Sequence, residues 1–113
     1  MTNTIEFNKF LDVDIRVGTV IKAEINPSLK NPSIVLLIDF GNKIGIKKSS
    51  AQIGANYNCN DIIDKQVAAV INFKPKQIGN LLSEVLVLGF PDDNNEPILV
   101  SPDRKVKNGV RLF

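Results

Sequence analysis

The sequence has no histidine and no tryptophan, and only one cysteine and one tyrosine, among its 113 residues. The missing histidine removes the commonest general base, the usual zinc ligand and every Ser-His or Cys-His nucleophile pair. Cys59 alone can form no disulfide within the chain, which excludes the small secreted disulfide scaffolds. A zinc site would be left with carboxylates only, an uncommon donor set. Cys59 stands beside Asn58, Asn60 and Asp61 with no cationic neighbour to activate it, and reads as an inert thiol. There is no glycine-rich phosphate loop. Asp12 and Asp14 lead into a strand pattern, where a turn and an outward carboxylate account for them. These absences argue against an enzyme, and no cofactor or metal is expected. No apolar run approaches the roughly 18 residues of a membrane helix. The opening residues, Met1 to Glu6, lack the layout of a signal peptide, so the expected compartment is the cytoplasm, without membrane insertion.

What is present suits one folded domain over residues 1–113. Apolar residues make up 43%, charged residues 23%, and the net charge is only +2, which argues against disorder. Most of the chain alternates with period two. From Val13 to Ile25 the odd positions are Val13, Ile15, Val17, Thr19, Ile21, Ala23 and Ile25, which predicts a strand with one buried face. Straight, it would span about 43 Å, so it must bend, and Gly18 is the expected bend.

Further strands are predicted at Ser33–Phe40, after the Asn31-Pro32 punctuation, and at Lys43–Lys47, after a two-residue turn at Gly41-Asn42. Ser49-Ser50-Ala51-Gln52 has capping-box spacing and predicts a short helix. Strands then follow at Gln66–Phe73 and Ser83–Phe90, joined by the basic loop Lys74-Pro75-Lys76-Gln77-Ile78-Gly79. Pro91 to Pro97 reads as a solvated turn. Short strands at Ile98–Val100 and Val106–Leu112, the latter holding an Asn108-Gly109 turn, add to the C-terminal side. A brief N-terminal helix over Glu6–Leu11 would plug the barrel end with Phe7, Phe10 and Leu11. Five principal strands with a helix between the third and fourth are the layout of an all-β, five-stranded OB-fold barrel.

The second and fifth strands are apolar on both faces, through Val35 and Leu37 in one and Leu86, Leu88 and Phe90 in the other. A small barrel has one interior, so the extra face needs cover. Two readings stand: the chain's own N- and C-terminal segments, or a second copy in a symmetric homodimer.

Charge is uneven. Residues 41–80 hold six lysines against two aspartates, while the remainder holds eight basic and ten acidic residues. One basic third in a near-neutral chain points to an anionic partner met on one face, against the plainer reading of solvated lysines. The ligand face of an OB-fold comprises its second and third strands and the loops joining strands one to two and four to five. Lys43 and Lys47 fall on the third strand, and Lys74 and Lys76 in the fourth-to-fifth loop. Lys47-Lys48-Ser49-Ser50 leads into the predicted helix, whose N–H groups would favour a phosphate. Sequence-tolerant single-strand binders need rows of exposed aromatics. Here Tyr57 and Phe73 are the candidates, and both are expected in the core. A folded RNA met through phosphates and shape fits better.

Asn72-Phe73-Lys74-Pro75-Lys76, then Gly79, then Ser83, resembles the tRNA-binding domain that occurs free-standing and appended to some methionyl- and tyrosyl-tRNA synthetases. The likeness tightens to the CsaA branch through Asp14–Thr19, Ile44–Ile53, Ser83–Gly89, Pro102-Asp103 and Asn108-Gly109. It covers the chain from about Phe7 to Val110. The resemblance implies an OB-fold homodimer that binds tRNA and, in that branch, an export-related chaperone activity towards unfolded polypeptides. It implies tRNA contact by Asn72, Lys74, Lys76 and Ser83. Together with the charge reading, the expected tRNA-binding set is Lys43, Lys47, Lys48, Ser49, Ser50, Asn72, Lys74, Lys76 and Ser83. Synthetase-type members usually carry methionine three residues after the serine, where this chain has Leu86. Leu86 is therefore expected on a peptide or dimer surface with Val35, Leu37, Leu88 and Phe90.

Overall fold

A computed structural model describes residues 2–27 and 33–113. The Asn31-Pro32 punctuation lies outside the described residues. Within them, α1 (Phe7–Leu11) precedes β1 (Ile15–Ile25), β2 (Ile34–Asp39) and β3 (Ile46–Ala51). Helix α2 (Cys59–Ile62) leads to β4 (Gln66–Val70), β5 (Lys76–Ile78), β6 (Leu81–Ser83), β7 (Leu86–Val87), β8 (Gly89–Pro91) and β9 (Pro97–Leu99). Strands β3-β2-β1-β4-β7 form one antiparallel sheet in that order, while β5-β6 and β8-β9 are two-stranded ribbons. The sheet curls into a nearly closed barrel. Its seam joins β3 to the segment ahead of β7: Glu84 N donates to Lys48 O at 2.7 Å, and Ser50 N donates to Ser83 Oγ at 3.0 Å. The expected all-β barrel is therefore the observed one.

Strand β1 is long, as its alternation predicts, but the bend falls elsewhere. The register against β2 runs Val20↔Ile38 and then Lys22↔Leu37, so Ile21 is the extra residue of a bulge. The bulge switches the buried phase. Before it the interior receives Gly18 and Val20; after it, Ala23 opposite Leu36. Gly18 has a packing role: a Cβ there would lie 2.5 Å from Ile38 Cγ2 and 2.9 Å from Phe40 Cδ1.

Ile15 and Val17 belong to the outer face and are covered by the C-terminal segment. Val17 N donates to Val110 O, Gly109 N to Val17 O and Leu112 N to Ile15 O. The same cover explains why Val67, Ala68, Ala69 and Val70 are all buried. Residues 106–112 thus clasp β1 as an irregular segment with a single bridge, Arg16↔Arg111, and not as the predicted strand. Side chains fix the clasp. Asn108 Oδ1 accepts from Thr19 Oγ1 and Gln66 Nε2, and Gln66 Oε1 accepts from Val106 N.

Other expectations give way. The turn after β2 is five residues, Gly41 to Gly45, with both glycines at positive φ and Gly45 N donating to Gly41 O. Lys43 consequently sits in the turn and not on a strand. Ser49 and Ser50 lie inside β3, not at a helix start, because Ser49 is a small residue buried opposite Leu36. The helix between the third and fourth strands forms instead over Cys59–Ile62, anchored by fully buried Ile62. Helix α1 plugs nothing: it has no buried residue, and Phe7 is 70% exposed. The predicted strand at Ser83–Phe90 is divided, β7 pairing with β4 and β8 with β9.

Candidate nucleic-acid interface

Two hydrogen-bond systems position the basic residues. At the seam, Lys48 N donates to Glu84 Oε1 at 3.0 Å as its carbonyl accepts from Glu84 N. Ser83, which fixes Ser50 N, pairs in register with Lys76 across the β5–β6 ribbon. The chain order Lys48, Ser50, Ser83, Lys76 is thereby folded into one continuous patch. The second system starts the connector after β4. Asn72 Oδ1 accepts from Asp14 N at 2.9 Å, and Asn72 Nδ2 donates to Asp12 O at 2.8 Å. Phe73 and Lys74 follow directly, both exposed, ahead of Pro75 and β5.

Register separates the β3 lysines. Lys48 shares a row with Leu37 and Lys22 on the outer face, and Ser50 a row with Val35 and Glu24. Lys47 pairs with buried Ile38 on the inner face and is half-buried. Lys43 is exposed in the turn before β3, where it lines a hollow with Lys107 and Asn108. The fold thus brings together Lys48, Ser50, Lys76 and Ser83, and sets Lys43 and Lys47 apart from them. Ser49 is buried and offers no helix N-terminus.

The cations differ in their partners. Among the described residues Lys43, Lys47, Lys48, Lys74 and Lys76 are in no ion pair, whereas the arginines of the clasp are held. Arg16 Nε lies 2.6 Å from Asp14 Oδ1 and Arg16 Nη1 donates to Gly109 O; Arg111 Nε lies 3.6 Å from the same carboxylate oxygen. Asp39 accepts from Gly41 N. The Asp92 carboxylate, in the β8–β9 turn, is held below its usual pKa chiefly by the Glu96 N–H, then by the Asn56 amide and the Asn94 N–H. No group of three or more His, Cys, Asp or Glu residues among those described could hold a metal.

Sequence reasoning missed two features near the patch. Lys22 enters the outer row only because the bulge shifts its register, which alternation does not reveal; it also pairs with Glu24 at 3.2 Å. Phe73, expected in the core, is 52% exposed. Tyr57 does pack against the core, and its OH accepts from Leu99 N. Of the expected apolar surface, Val35, Leu37 and Leu88 are half-buried, while Leu86 and Phe90 are 50% and 70% exposed. A further apolar hollow of about 300 Å³ lies between β1, β4 and the C-terminal segment, lined by Ile15, Val17, Ala68, Val110 and Leu112 among others.

Comparison with known proteins bears on this geometry. Residues 15–111 match the family described as "Putative tRNA binding domain". The chain belongs to the tRNA-binding domain family. Two solved relatives share its fold throughout: the chaperone CsaA of Bacillus anthracis str. Ames, 41% identical with a TM-score of 0.91 over 98% of this chain and 100% of that one, and the CsaA chaperone protein of Picrophilus torridus, 41% identical with a TM-score of 0.90 over 97% and 100%. Among curated proteins, methionine–tRNA ligase of Methanothrix thermoacetophila is 34% identical over 109 residues, 96% of this chain. The chain spans only about one-seventh of that ligase, 15% of its length. In this tRNA-binding domain family member, Asn72 and Ser83 direct their polar atoms to the fold's own backbone, so in this structure they position the connector and the seam. None of the described helices is long and apolar enough to cross a membrane.

Proposed function

We propose that this protein is a non-catalytic tRNA-binding module that meets folded tRNA across the β3–β6 seam and the β4–β5 connector. Lys48, Lys74 and Lys76 take the principal phosphate contacts, Lys43 in the turn before β3 and Lys47 on its inner face supply secondary contacts away from the patch, and Asn72, Ser50 and Ser83 hold the frame. The observation that supports this reading most is that exposed Lys48 and Lys76 are drawn together by backbone bonds and have no ion-pair partner among the described residues. Ammonium groups left in water can exchange counterions for phosphates, which makes binding salt-dependent. Four to six such contacts give a log–log salt slope of about −3 to −5 for bulk tRNA. Salt-independent binding between 50 and 200 mM counts decisively against the reading, and so does hydrolysis or group transfer that survives extensive purification.

A second reading concerns polypeptide. Leu86 on β7 and Phe90 on β8 are exposed, and the two solved relatives are described as chaperones. Binding of unfolded or pre-export chains through these side chains tolerates salt and carries a negative heat-capacity change. Failure to suppress aggregation of an unfolded client rules it out. A cytoplasmic homodimer completes the proposal: α1 leaves Phe7 and Leu11 uncovered, and a second copy would bury them. Light scattering at the monomer mass across micromolar concentrations refutes the dimer.

A further inference from the structure

We infer that the Phe73 ring is a stacking platform for an unpaired base of the bound RNA, an inference that rests on the tRNA-binding reading and sharpens it. The ring is 52% exposed in a chain whose largest buried side chain is another phenylalanine, Phe40. Among the described residues the one aromatic pair is Phe7 with Phe10, so Phe73 has no ring partner. Its backbone is nevertheless fixed on both sides. Asn72 ties the connector to Asp12 and Asp14, and Lys76 is held by its register with Ser83. Pro75 restrains the residues between. An apolar ring is thus presented to water on a braced connector, directly before Lys74 and three residues before Lys76.

The surrounding charge suits an RNA strand. Of the two acidic residues this frame holds, Asp14 is engaged by Arg16 and Arg111 and adds little repulsion. The exposed Asp12 carboxylate is in no ion pair among the described residues and offsets one of the neighbouring lysines. Lys74 and Lys76 can hold phosphates flanking a splayed nucleotide while its base lies on the ring. Stacking uses the face that every base has, so the contact selects unpaired nucleotides and not a base identity. Paired bases inside an A-form helix offer no such face.

The test compares an RNA stem–loop with a blunt duplex of the same stem. Phe73→Ala is expected to weaken stem–loop binding about five- to tenfold, the lower part of the range for base stacking, and to leave duplex binding and the salt slope unchanged. Phe73→Trp supplies the only tryptophan of the chain, and its fluorescence is expected to be quenched by the stem–loop and not by the duplex. Equal loss on both RNAs, no loss on either, or a changed mass in light scattering overturns the inference while leaving the tRNA reading intact. A wild-type protein that binds neither these RNAs nor bulk tRNA fails the tRNA reading itself, and the inference falls with it.

Discussion

The arginines of the C-terminal clasp and the lysines of the seam carry the same charge and are used in contrasting ways. Arg16 and Arg111 share the Asp14 carboxylate and donate to the backbone carbonyls of Gly109 and Leu11. Their guanidinium forks fasten the chain's last residues to its first strand, a task for several fixed donors. Lys48, Lys74 and Lys76 stand in solvent on short frames whose hydrogen bonds are made by other atoms. A count of basic residues treats both groups alike. One group is engaged in the fold's own contacts, and the other is in no ion pair among the described residues.

The largest effect that could break this contrast lies in the clasp. Gly109 has φ +89°, and a Cβ there would collide with Phe40 O. Gly109→Ala should cost about 3 kcal/mol in chemical denaturation, from backbone strain and overpacking together. Arg16→Ala should cost about 2 kcal/mol, since it removes charge-assisted bonds at a half-buried site and leaves Asp14 less compensated. Neither change should alter tRNA affinity per folded molecule, measured below the unfolding transition.

The seam should behave in the reverse way. Lys48→Ala with Lys76→Ala should lower the magnitude of the salt slope by about 2, and Lys74→Ala by about 1. Each should move stability by less than about 0.5 kcal/mol, as expected for exposed, unpaired side chains. Lys47→Ala, on the inner face, should change the slope less than Lys48→Ala. The reverse order would dissolve the distinction drawn between the two faces of β3.

The smallest effect sharpens the contrast from the acidic side. Asp92 has a folded-state pKa lowered by hydrogen bonds to its carboxylate. Its contribution is therefore present above the unfolded pKa of about 3.9 and is lost as pH falls through the folded value. The stability gap between wild type and Asp92→Asn should be constant near neutrality and close below about pH 4. A gap that widens on acidification contradicts this sign.

Much of the barrel was legible in the sequence because alternation reports strands directly. The length of β1 and the placing of β2 and β4 follow from spacing alone, whereas the basic segment expected as a loop pairs Lys76–Ile78 with Leu81–Ser83 as the β5–β6 ribbon. The face of β1 did not, because the bulge at Ile21 reverses the phase: odd residues pack under the C-terminal segment before it and inside the barrel after it. The helix was misplaced because Ser49 and Gln52 imitate a capping box, while tertiary pairing with Leu36 holds Ser49 in a strand. The candidate site was legible as composition but not as geometry. Six lysines in one third of the chain raise the expectation of an anionic partner, yet the seam bonds of Ser83 and Glu84 determine which of them meet. Phe73 is expected in the core because the predicted strand runs through it, but β4 stops at Val70, and nothing local reveals that the ring's surroundings stay open.

The most direct test of the central claim is the affinity of purified protein for bulk tRNA between 50 and 200 mM salt, beside the Lys48→Ala/Lys74→Ala/Lys76→Ala variant. The account predicts a wild-type log–log slope of about −3 to −5 that falls in magnitude by about 3 in the variant, with unfolding unchanged. A slope near zero, or one that the triple substitution leaves as it was, contradicts it.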